Sequence, residues 1–247
     1  TAIIPSTGVT NEPNISATSV TISGLIVSAG RTLAVTSPRT LTVTNSSVVN
    51  GTVNVTGTVA LNTFSDLNNS TFNYSGAGSQ TAGALTYNNL TISNSAGVTL
   101  GGDIIVNGTL MLTTGDLNTS TFTLTMPNTA ASSGTTDVVG NVKRTGFVSG
   151  GGALSFGNPL NTIQLNSGTA PTDINVNLVK AAPSGAIGFP TAITRTYTIT
   201  PNGGSGISAT LRLHYQDSEL NSNTEPGLQL WRFDSVSSAW LAQGKTS

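Results

Sequence analysis

The side chains able to do chemistry are few and scattered. Asp66 and Asp116 open two copies of one repeat, Asp66-Leu67-Asn68 and Asp116-Leu117-Asn118. Two carboxyl groups about 5–10 Å apart are what glycoside hydrolysis requires, and parallel β-coils also carry polysaccharide lyases. Repetition argues for a plainer role. An Asp at the same place in each copy accepts hydrogen bonds from nearby backbone N–H groups and marks a turn. His214 stands in Leu211-Arg212-Leu213-His214-Tyr215, where alternation sets it beside Arg212 and opposite the two leucines. With no second His and no Cys it lacks co-ligands for a transition metal, so a solvated strand position is expected. Asp217, Glu219 and Glu225 form the densest acidic run. Calcium loops gather several carboxylates within about a dozen residues, yet a charged solvent loop is the simpler expectation. Tyr74, Tyr87 and Phe72 are candidates for an aromatic sugar platform. Phe72 matches Phe122 in the repeat, so these two are expected to fill the core, while Tyr87 opens a strand and is expected at the surface. Trp231 and Trp240 are expected in a core. No catalytic, metal-binding or cofactor-binding residue is assigned.

The elements holding these groups follow from composition. Only 8% of the 247 residues are charged and 36% are hydrophobic, with Thr, Ser, Asn and Gly between them. Disordered chains of low complexity combine high net charge with few β-branched residues. Here the formal net charge is −1, and Val, Ile and Thr alternate along most of the chain, which favours strands. Absence of cysteine removes thiol chemistry and thiolate metal sites. Nucleic-acid binding needs clustered Lys and Arg, and Lys143-Arg144 is the one adjacent basic pair. No apolar run reaches the roughly 20 residues of a membrane span. The chain begins at Thr1 without Met or signal peptide, so a processed chain or an excerpt is expected.

Thirteen of the nineteen charged residues follow Thr136, as do both tryptophans and His214. The small, polar stretch 127–136 is therefore expected as a domain boundary. Before it the chain repeats itself. Asp66–Tyr74 recurs at 116–124, Val49-Asn50-Gly51-Thr52-Val53 recurs as Val106-Asn107-Gly108-Thr109-Leu110, and Ala29-Gly30-Arg31-Thr32-Leu33 as Ala96-Gly97-Val98-Thr99-Leu100. Loose repeats of this size indicate stacked supersecondary units. Short runs such as Val20-Thr21-Ile22-Ser23, Leu41-Thr42-Val43-Thr44 and Leu90-Thr91-Ile92-Ser93 place aliphatics on one face and polar side chains on the other. The expectation is a β-solenoid over 17–130, with aliphatics stacked inside and Thr and Asn laddered outside. Residues 1–16 carry few signals and are expected to be a linker or a donated strand.

From 137 to 247 the candidate strands are longer: 137–147, 161–165, 174–180, 191–200, 207–215, 228–233 and 239–242. Their spacing suits an antiparallel β-sandwich. A strand signal runs almost to Ser247, so the sandwich is expected to lack its last strand. The fold class is thus all-β, a solenoid followed by a sandwich.

The run Tyr87-Asn88-Asn89-Leu90-Thr91-Ile92, then Val106-Asn107-Gly108-Thr109-Leu110-Met111-Leu112 and Gly115-Asp116-Leu117-Asn118, closes with Thr121-Phe122-Thr123-Leu124 and Val139-Gly140-Asn141-Val142-Lys143-Arg144. It resembles the large repetitive surface proteins that Bacteroidetes-type bacteria export by the type IX route. Phe156-Gly157-Asn158, Arg195-Thr196-Tyr197-Thr198-Ile199 and Leu228-Gln229-Leu230-Trp231-Arg232 extend the likeness, which covers about residues 80–245. The resemblance implies an extracellular, cell-surface location and roles in adhesion, gliding or surface building, and it transfers no catalytic residues. Asp234-Ser235-Val236 also resembles the short O-glycosylation motif of those bacteria. A non-enzymatic structural or adhesive module is the expected function, with a filament subunit joined end to end or by strand donation as its sharpest form. Its partners are then copies of itself, neighbouring modules of the same polypeptide, or surface glycans. A carbohydrate-binding module on a solenoid stalk comes second, and a polysaccharide-degrading enzyme last.

Overall fold

The computed structural model describes residues 1–62, 65–183 and 191–245. It is almost wholly β, and the only helices described are two 3-10 turns, Asp217–Glu219 and Glu225–Gly227. No helix among the described residues is long and apolar enough to cross a membrane.

A parallel β-solenoid of about seven turns makes up the first part. One face runs its whole length as a seven-stranded sheet, from Asn14–Ile15 through Thr32–Val35, Thr52–Val55, Thr71–Tyr74, Asn89–Ser93 and Thr109–Thr114 to Ala131–Gly134. Partners in register along it lie 18 to 22 residues apart, one coil each. A second face stacks Ala2–Ile4, Leu25–Val27 and Ser47–Val49, and a third stacks Val20–Ile22, Thr40–Val43 and Thr58–Ala60.

Alternation decides what lies inside each coil. In the long sheet Leu33, Val53, Phe72, Leu90 and Leu110 form one buried file, and Val35, Val55, Tyr74, Ile92 and Leu112 the next. The intervening residues face outward and bond from coil to coil: Asn73 Nδ2 donates to Asn54 Oδ1 at 3.3 Å, and Thr36 Oγ1 to Asn14 Oδ1 at 2.8 Å. Parallel stacking at about 4.8 Å places like side chains within reach of one another. One corner is held by buried amides. Gln80 Nε2 donates to the carbonyls of Val55 and Gly57, and its Oε1 accepts from Gly76 N and Asn94 Nδ2.

Residues 1–16 are placed in the first coil rather than apart from it. Ala2–Ile4 and Asn14–Ile15 pair in parallel with Leu25–Val27 and Ala34-Val35. Glu12 helps fix them, since its carboxylate accepts from Thr32 N at 2.9 Å and meets Arg31 at 3.3 Å.

The stretch 127–136 contains the strand Ala131–Gly134, so parallel coiling continues through it. Over the last two coils, two faces merge. Leu117–Met126 pairs with both Val98–Leu100 and Ile104–Val106, with a register break between Asn118 and Thr123. Val138–Thr145 stacks on it in parallel and carries Asp173–Val179 on its other edge in antiparallel pairing, followed by Thr196–Asn202. The change of pairing sense therefore falls across Val138–Thr145, later than composition suggests. A separate antiparallel sheet, Leu154–Phe156, Asn158–Thr169 and Ser205–Arg212, lies beside Ala131–Gly134. Leu230–Asp234 and Ala239–Gly244 form a two-stranded hairpin.

Candidate functional site

The residues expected to bear chemistry are not brought together. Asp66 Oδ1 accepts from Asn68 N at 3.1 Å, the backbone turn expected of it. Asp116 does something else: Oδ1 accepts from Asp137 N at 3.0 Å and Oδ2 meets Lys180 Nζ at 2.7 Å. Tyr87 corrects the expectation of a surface platform. Its side chain is 0% exposed, its hydroxyl donates to Gly83 O at 2.9 Å, and its ring meets Phe72 edge-on at 5.4 Å. The Tyr74 hydroxyl lies 3.3 Å away, and burial pushes both phenols above their usual pKa. Tyr87 faces inward in register with the buried Val106 of the next coil, and the Gly83 carbonyl is the partner that its buried hydroxyl needs.

The acidic run is also divided. Glu219 is buried and paired, while Glu225 accepts from the Tyr215 hydroxyl at 3.0 Å. His214 is half-buried and lines a shallow cleft of about 260 Å³ with Arg212, Tyr215, Asp217 and Glu225. Burial lowers its pKa. Among the described residues no three His, Cys, Asp or Glu side chains converge as metal ligands.

What the structure does assemble is a buried ionic clasp where the last coil meets the antiparallel strands. The Arg195 guanidinium is fully buried between two carboxylates. Nη2 and Nη1 reach Asp137 at 2.7 and 3.3 Å, and Nε and Nη2 reach Glu219 at 2.8 and 2.9 Å. Nη1 also donates to Tyr197 Oη and to His214 O, both at 3.0 Å. Lys180 Nζ bridges Asp116 and Asp137 at 2.7 and 3.0 Å. Asn161 Oδ1 accepts from His214 N at 2.7 Å and lies as close to Tyr197 Oη.

Electrostatics follow from this geometry. Burial pushes the Asp137 carboxyl up, but Arg195 and Lys180 outweigh it and hold the pKa below the usual range. Burial likewise opposes the charge on Lys180, and the bonds to Asp116 and Asp137 reverse that, raising its pKa. Tyr197 is pushed up to about 12 by burial. A charge network this well satisfied holds elements in place. The Asp137 and Glu219 carboxylates are buried and engaged by Arg195, and Asp116 is engaged by Lys180.

Sequence reasoning missed this clasp. A signal was present: Arg195, Tyr197 and Ile199 alternate on one face of a strand, which places a guanidinium on an inward file.

Two surfaces remain open. In the first coil Ala2–Ile4, Asn14–Ile15 and Val20–Ile22 each pair on one side only among the described residues, as do Thr196–Asn202 and Ser205–Arg212 at the other end. Ile3 is 60% exposed beside the first edge, and Leu211 is 40% exposed although its cross-strand partner Ile163 is buried. The hairpin adds an aromatic face, with Trp231 and Phe233 on one strand and Trp240 opposite Phe233 at 5.5 Å.

No protein-family model matches this chain, and neither a curated protein nor a solved structure is similar to it.

Proposed function

We propose that the chain is a non-enzymatic structural and adhesive module of an extracellular bacterial surface, built to join copies of itself or neighbouring modules through its strand edges. One observation carries this: among the described residues, each extremity of the fold combines one-sided strands with half-exposed aliphatics. Unpaired edges of this kind template the addition of another strand. On the same proposal, residues 137–247 form a β-sandwich whose open side, between Thr196–Asn202 and Ser205–Arg212, is completed by a strand from a neighbour. Outward Asn and Thr ladders and a low charge content suit a long, neutral stalk. Hydrogen exchange tests it. Amides of Ala2–Ile4, Asn14–Ile15, Val20–Ile22, Thr196–Asn202 and Ser205–Arg212 should become protected as concentration rises; protection that does not change with concentration would count against it.

A second proposal, a glycan-binding module, is favoured by the hairpin. Phe233 is 47% exposed and stacked edge-on against Trp240, and half-wet aromatic pairs suit sugar faces. Glycan-array binding lost in Phe233→Ala, with the melting temperature unchanged, would support it.

A further inference from the structure

Arg144 is a second buried guanidinium, and among the described residues it has no acid beside it. It is 1% exposed and occupies an inward position of the last coil, stacked in register between Met126 and Ile174. Nη2 donates to Ala130 O at 2.8 Å. Nε and Nη1, with three N–H groups between them, have no partner, and no carboxylate pairs with this side chain among the described residues.

Its surroundings change character at the same level. The buried file Leu90, Leu110 ends on Ser132, whose hydroxyl is also buried without a partner. Arg144 and Ser132 line a cleft of about 360 Å³ between the last coil and the antiparallel sheet, together with Asn128, Leu154, Ser155, Pro159 and Thr162. Burial lowers the Arg144 pKa to about 10, still far above neutrality, so the charge stays.

A buried charge without a counter-charge is costly, and the cleft that Arg144 lines is where a counter-anion would relieve it. We propose that this cleft is a binding site for a small carboxylate, with Arg144 supplying the charge and Ser132, Ser155 and Thr162 the hydroxyl contacts. A single guanidinium matches a monoanion; a phosphate dianion would leave one charge uncompensated in the same space. The volume falls in the range of small-ligand pockets, and mixed hydroxyl and aliphatic walls suit a sugar acid. The site is independent of strand-edge assembly.

Calorimetric titration with D-glucuronate, acetate and D-glucose at constant ionic strength tests the proposal. Glucuronate and acetate should bind the wild-type protein and glucose should not. Arg144→Met should weaken carboxylate binding at least about tenfold, as loss of a charge-assisted hydrogen bond implies. Ser155→Ala with Thr162→Val keeps the guanidinium and should weaken glucuronate more than acetate, which covers the case in which Arg144→Met fails to fold. Equal affinity for glucose and glucuronate would overturn the proposal. So would carboxylate binding unchanged by both variants, or no carboxylate binding at all.

Discussion

Arg195 and Asp137 stand 58 residues apart and meet in a fully buried two-point ion pair, 2.7 and 3.3 Å between guanidinium and carboxylate. Asp137 precedes the strand Val138–Thr145 on the last coil, and Arg195 precedes Thr196–Asn202 in the antiparallel part. The pair therefore fixes where parallel stacking stops and how the following strands are hung on it.

Removing the cation should be severe. Arg195→Met leaves Asp137 and Glu219 buried with little compensation, and breaking such a pair costs about 3–5 kcal/mol. Urea unfolding of the variant and wild type reads this directly. Arg232→Met, at an exposed pair, should change stability by less than about 1 kcal/mol.

Acid should loosen the same junction. Because the Asp137 pKa is held below 3.8, its contribution is fully present above that value and is lost as pH falls through the lower folded value. At the alkaline end Tyr197 is raised from 10.0 to about 12, so the neutral phenol contributes fully below pH 10 and its contribution fades between those values. Lys180 acts in the same direction, since its raised pKa gives stability that is lost as pH climbs past 10.5. Thermal melts should be flat between about pH 7 and 9, and His214, whose pKa burial lowers, should add a loss of stability as pH falls below 6.5. In Asp137→Asn the acid limb should shrink.

Tyr87 should act as core. Tyr87→Phe leaves Gly83 O and the Tyr74 hydroxyl without their shared partner, at a cost of about 1–3 kcal/mol. Tyr87→Ala should cost about 3–5 kcal/mol through lost packing. Denaturant midpoints check both, and any loss of ligand binding in Tyr87→Ala would report lost structure.

A side chain cannot replace Gly134. Its φ is +99°, and an added Cβ would collide with the Leu112 backbone in the adjacent coil. Gly134→Ala should destabilise by at least about 1–3 kcal/mol, whereas Ala at Gly152, which has open space around it, should be close to neutral by the same unfolding measurement.

What could be read in the sequence was what depends on periodicity. Two-residue alternation put Leu90 and Ile92 inside and Thr91 outside, and the repeats exposed the coil. Asp66 also lies at the turn its repeat suggested. Contacts that close over long separations were not legible. Asp116 copies Asp66 in sequence, yet its carboxylate is claimed by Lys180, 64 residues on, which no local pattern encodes. Tyr87 misled because its strand, Thr86–Tyr87, is two residues long, too short for alternation to show which face is buried. Residues 1–16 gave weak signals because their strands, three and two residues long, are held by coil-to-coil pairing more than by local alternation. The shift of the boundary has the same origin: composition changes where charge enters, but pairing sense changes only at the far edge of Val138–Thr145.

Assembly through strand edges is tested most directly by sedimentation velocity of the purified chain over a wide concentration range, alongside Ile3→Lys and Leu211→Lys. A charge beside an edge strand blocks strand addition without entering the core. Wild-type protein should form a growing series of linear oligomers, and the two substitutions should together leave a folded monomer. A wild-type chain that stays monomeric at every concentration, or oligomers that persist in the double variant, would contradict it.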